Sequence, residues 1–139
     1  MQTIDEDDAI PALLRMEFGF FLRFAFRELG GDSPYQHNWH IDAIIEQLRR
    51  MRVDEIDRLM ITMPPRYLKS RIVVIAWVAW MLGRNPALTF LCVSYGQKLA
   101  EDHARDCLKL IDSYWYRKEG HMKRDPTPES PVRVELNTR

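Results

Sequence analysis

The sequence predicts an α/β protein organised around a parallel sheet, and three observations carry that expectation. Apolar residues recur with a helical rhythm over 5–29, 39–52 and 97–114. Two shorter apolar stretches, 59–63 and 88–95, read as strands. The second, "LTFLCVSY", is the near-continuous apolar run of a parallel strand buried on both faces. The resulting order after residue 57 is strand, turn, helix, strand, helix, which implies right-handed crossovers between parallel strands.

Each element has its own local reason. In 5–29 the apolar positions Leu13, Leu14, Phe18, Phe21, Leu22, Ala25, Phe26 and Leu29 share one helical face, and Gly30-Gly31 stops the helix. Its aromatic residues Phe18, Phe20, Phe21, Phe24 and Phe26 require a surface to pack on. A helix lying on a membrane surface is the competing reading, and the acidic start Asp5 to Asp8 and scarcity of lysine argue against it. In 39–52, Ile41, Ile44, Ile45, Leu48 and Met51 form a stripe, Asn38 is the expected N-cap, and Arg49, Arg50 and Arg52 suit the C-terminal end. The stretch "RIVVIAWVAWML" (71–82) is rich in β-branched residues, but its length and the following Gly83 favour a buried helix. In 97–114, Leu99, Ala100, Ala104, Cys107, Leu108 and Ile111 line one side. Residues 132–136, "VRVEL", alternate as a further strand would.

Composition excludes several classes. The chain has 139 residues, the size of about one domain, with 46% hydrophobic and 29% charged residues. Its formal net charge is zero, so no global field draws it to nucleic acid or acidic membranes. The longest apolar run, 72–82, falls short of the roughly 20 residues that span a bilayer, and the acidic N-terminus is no secretory signal. Cys92 and Cys107 form no C-x-x-C pair and are expected to be reduced, buried thiols. His37 and His40 are spaced H-x-x-H but lack the further ligands of a closed zinc site.

The chemistry concentrates at "MPPRYLKS" (63–70). Its spacing matches the phosphate-binding loop G-x-x-x-x-G-K-[ST], with Met63 and Leu68 in place of the glycines. A phosphate cradle needs successive backbone N–H groups converging at the start of a helix, a lysine for the outer phosphates and a hydroxyl for Mg²⁺. Lys69 and Ser70 supply the last two, and Arg66, Tyr67, Leu68, Lys69 and Ser70 each carry an N–H. Pro64 and Pro65 carry none but stiffen the entry. Leu68 must either keep an ordinary φ or accept a left-handed one, at a cost of about 1–2 kcal/mol.

Four segments in order resemble the large terminase subunit of tailed bacteriophages, the ATPase that drives DNA into the capsid. They are "WHIDAIIEQLRRM" (39–51), "RLMITMPPRYLKS" (58–70), "AWMLGRNPAL" (79–88) and "LCVSYGQKLAEDHARD" (91–106), within a resemblance spanning about 18–116. The resemblance implies a partial P-loop NTPase fold of three layers with a parallel sheet, preceded by the aromatic-rich helix. Residues 1–34 would be an N-terminal helical segment and 35–139 an incomplete ATPase domain. The implied cofactors are ATP and Mg²⁺. Lys69 would meet the β- and γ-phosphates, Ser70 the metal, and Arg66 the transition-state charge at the γ-phosphate. Tyr67 and Leu68 would complete the loop, with Tyr35, Gln36 and Trp39 at the adenine; for Trp39 a packed core position is the alternative. The implied partners are double-stranded DNA, the portal and the small terminase subunit, with no membrane, and the implied location is the bacterial host cytoplasm.

The chain departs from that family in two ways. No apolar run ending in paired carboxylates, the Walker B strand, follows residue 70, because "LKLID" (108–112) lies in a helical pattern. The nuclease domain is missing as well, so the resemblance implies a domain that continues past Arg139. The expectation is nucleotide binding without meaningful hydrolysis. Two alternatives stand beside it: a non-enzymatic interaction module or decayed prophage fragment that uses the aromatic helix and an open sheet edge to form an oligomer or bind another chain, and a fragment of another P-loop enzyme such as a kinase or sulfotransferase. The basic cluster "RKEGHMKR" (117–124) reads as a solvated loop or a contact for DNA phosphates.

Overall fold

A computed structural model describes residues 6–30 and 35–118. The elements are α1 (Glu6–Met16), α2 (Phe18–Leu29), α3 (Trp39–Arg52), a π-helical segment (Arg71–Ala76) that continues into α4 (Trp77–Arg84), α5 (Gln97–Asp112) and α6 (Tyr114–Lys118). None of the described residues belongs to a strand. This corrects the parallel-sheet α/β expectation, and with it the three-layer P-loop NTPase architecture.

The physical reason differs between the two strand candidates. Residues 59–63 keep a period of two: Leu59, Ile61 and Met63 pack against the core, while Met60 is 91% exposed. The segment has strand-like side-chain alternation without a ladder partner. Residues 88–95 fail differently, since Leu91, Val93 and Tyr95 are 83%, 85% and 99% exposed rather than buried. An apolar run identifies side chains suited to a pleated surface, but pairing requires a partner strand elsewhere in the chain. The remaining candidate, 132–136, lies outside the described residues.

Helices bury the core instead. Phe18, Phe21, Leu22, Ala25 and Phe26 of α2 meet Ile72, Ile75, Ala76, Trp77 and Trp80 of the π/α4 helix and Leu110 and Ile111 of α5. Phe18 stands edge-on to Trp77, with ring centroids 4.9 Å apart, and Phe21 stands edge-on to Trp115 at 5.3 Å. Such pairs add about 0.5–1.5 kcal/mol each beyond area burial. Buried polar tips are satisfied: Trp80 Nε1–H donates to the Leu14 carbonyl (2.9 Å), and Tyr116 Oη–H donates to the Ala79 carbonyl (2.6 Å). Burial also pushes the Tyr116 phenol upward.

Several element boundaries are sharper than the sequence pattern suggested. The helix expected over 5–29 is broken at Glu17, whose backbone is extended (φ −113°, ψ 105°). α3 begins where Asn38 Oδ1 accepts the Trp39 N–H (2.8 Å). It ends with Asp54 in the left-handed region (φ 58°), where the Glu55 N–H bonds back to the Arg50 carbonyl at 2.9 Å. That geometry satisfies the last carbonyls without a glycine. The helix after residue 70 forms as expected but runs through Gly83 and stops at Asn85. Cys92 is exposed, contrary to the buried-thiol expectation, and Cys107 is partly buried.

Candidate functional site

The loop joining 59–63 to the π/α4 helix holds two non-glycine residues in the left-handed region. Arg66 and Leu68 have φ of 73° and 63°, two of the three non-glycine residues with positive φ among those described. Leu68 therefore takes the left-handed option at the glycine position of the motif. Lys69 and Ser70 follow in helical conformation, and the Ile72 N–H bonds to the Leu68 carbonyl at 3.0 Å. A left-handed residue followed directly by right-handed ones turns neighbouring N–H groups towards one side, the local geometry of an anion-binding nest. Residues 63–71 line an open concavity of about 380 Å³.

Leu68 does not bear this strain without compensation. Its side chain is half-buried against the hydrophobic core. Half-burial of a leucine returns about 1 kcal/mol, against a left-handed cost of about 1–2 kcal/mol. Arg66 is exposed and has no such return. Arg71 Nη1 donates to the Gly30 carbonyl (3.3 Å), tying the helix start to the end of α2.

The three residues expected at the adenine differ in their surroundings. Tyr35 packs its ring on Phe26 (centroids 5.1 Å apart), and its hydroxyl is 2.9 Å from His37 Nδ1. Burial raises its pKa. His37 Nε2 in turn lies 3.0 Å from Asp42 Oδ2. An Nε2–H tautomer satisfies both contacts, with Tyr35 donating to Nδ1 and His37 donating to the carboxylate. Gln36 is exposed. Trp39 is 76% exposed, so it is not a core residue.

His40 links these residues to the loop. Its ring is 5.5 Å from that of Tyr67 and 6.2 Å from that of Trp39, edge-on in both cases. Tyr67, His40 and Trp39 thus run outward from the loop as a row. The sequence pattern considered His40 only as a zinc ligand; no spacing signal connects it to a residue 27 positions away (67 − 40). No group of His, Cys, Asp and Glu suited to a metal occurs among the described residues.

For Mg²⁺ arriving with phosphates, the relevant group is the Ser70 hydroxyl. It makes no helix-capping hydrogen bond, which leaves its oxygen available as a ligand. Asp112, the downstream carboxylate considered for Walker B, ends α5 and pairs with Arg117. Of the basic cluster 117–124, only Arg117 and Lys118 fall among the described residues. A scan against family models and searches of curated proteins and of solved structures each find no match.

Proposed function

We propose that residues 66–70 form a phosphate-binding loop and that the chain binds Mg-ATP through it. In this reading it is the nucleotide-binding portion of a terminase-type large subunit, whose whole protein couples ATP to packaging of double-stranded DNA together with a portal and a small subunit. The observation that carries the proposal is Leu68 at φ 63°, immediately before Lys69 and Ser70 open a helix. A leucine in a left-handed conformation is rare and costly. Strain of that kind is concentrated at binding and catalytic sites. The reading needs only the loop and the helix behind it, not a sheet. Mg-ATP supplies the charge that Lys69 neutralises, and Ser70 offers its hydroxyl to the metal. Arg66, beside them on the loop, stabilises charge at the γ-phosphate.

None of the residues lining the concavity, 63–71, is a carboxylate that could activate water, so the proposal is binding without appreciable turnover. Isothermal calorimetry tests it. Mg-ATP should bind with about millimolar or tighter affinity, and Lys69→Ala should abolish the heat. Absence of binding at millimolar ATP would refute the reading, and sustained phosphate release by the purified chain would refute its non-hydrolytic half. The exposed residues of 88–95 favour a second reading, an interaction module, because singly exposed apolar residues are ordinary but a run of them marks a contact surface. Light scattering that shows a monomer at all concentrations would count against it.

A further inference from the structure

Trp80 is 2% exposed, and two guanidinium groups lie over its ring. Arg84 Cζ is 4.9 Å from the ring centroid and Arg52 Cζ is 5.7 Å from it. Arg52 is the last residue of α3 and Arg84 the last of α4. We propose that Arg52 and Arg84, held on the indole of Trp80, form a binding site for a phosphate-type oxyanion, separate from the loop at 66–70.

The argument begins with charge. Neither arginine forms an ion pair among the described residues, in a chain where Arg49, Arg50, Arg105 and Arg117 all do. The helix C-termini offset part of this charge, roughly half a unit each, and leave a net positive centre. Burial and, after it, the neighbouring charge of Arg52 lower the pKa of Arg84, so the two cations repel one another. An oxyanion would relieve that repulsion.

The site is also preorganised. Arg84 is anchored by a hydrogen bond from Nη1 to the Arg15 carbonyl. Trp80 is fixed by its bond to the Leu14 carbonyl and by packing on Phe18 (5.4 Å) and Trp77 (5.2 Å). Each guanidinium lies over this fixed ring, and an arginine carries five N–H donors in a planar fork. Paired planar forks on fixed supports suit the several acceptor oxygens of a phosphate better than a single carboxylate. Arg52 donates no hydrogen bond among the described residues.

The test follows the indole N–H resonance of Trp80 during titration, assigned with Trp80→Phe. The ligands are inorganic phosphate and glycerol phosphate at constant ionic strength, with chloride as the control; the two phosphates separate a free anion from a phosphate ester. The expected result is a saturable shift with phosphate but not with chloride. Arg52→Gln should weaken it roughly ten-fold, the loss of one charge-assisted hydrogen bond. Arg84→Lys, which keeps the charge but loses the fork, should weaken it as well, whereas Lys69→Ala should leave it unchanged. A linear or chloride-equivalent response would overturn the site, as would a shift that survives Arg52→Gln and Arg84→Lys. A shift lost in Lys69→Ala would assign the phosphate to the loop and overturn the site too.

Discussion

Leu68 decides whether the loop is a strained binding feature or an ordinary turn. Its backbone conformation is one that glycine adopts without steric cost. Alanine in the same place would retain the left-handed penalty and lose the leucine side chain's contact with the core. Glycine would lose the contact but also the penalty. The usual ranking at an ordinary loop position, where alanine is the more stable residue, should therefore invert. We expect Leu68→Gly to be more stable than Leu68→Ala by about 1 kcal/mol in urea unfolding. Equal stabilities, or a more stable alanine variant, would mean that Leu68 does not hold φ near 63° in solution. The motif identified this position from sequence, since Leu68 stands where the phosphate loop has glycine. The sign of φ was not legible, because only the folded backbone sets it. The contact between Tyr67 and His40 was equally hidden, as it depends on how α3 lies beside the loop.

The helices were the legible elements because their hydrogen bonds are local and their apolar residues repeat with the helical period. Asn38 marked the start of α3, and the charged face of α5 was plain. The break at Glu17 was not, since the apolar stripe continues across it. The segments 59–63 and 88–95 show the opposite case: their composition suits strands, but a ladder depends on residues far apart in the chain. Val93 separates the two descriptions. At 85% exposure it should tolerate Val93→Lys with a stability change within about ±0.5 kcal/mol. In a buried parallel strand the same unpaired charge would cost about 3 kcal/mol or more. Chemical denaturation distinguishes these outcomes, and a large loss would restore the sheet.

Over the whole molecule, one hydrophobic core joins the N-terminal helices to the π/α4 helix, α5 and α6. No described helix is long and apolar enough to cross a membrane. Burial pushes the Cys107 thiol up to about 12 from 9.0. The folded state therefore holds this proton more tightly than the unfolded state. That contribution is fully present below pH 9 and is lost as pH rises towards 12. Cys107→Ala should remove this part of the pH dependence. The stability difference between wild type and variant, measured by denaturation at about pH 7 and about pH 11, should shift in the variant's favour at the higher pH. A constant difference would mean that the thiol is not buried in solution.

The most direct test of the phosphate loop follows the backbone amides of the folded protein during titration with Mg-ATP. The cradle uses N–H groups of Arg66, Tyr67, Leu68, Lys69 and Ser70, so their resonances should move together and saturate. In Lys69→Ala they should stay in place at the same nucleotide concentration. Loop amides that remain still in the wild type, or shifts confined to other parts of the chain, would contradict the central claim that this glycine-free turn holds phosphate.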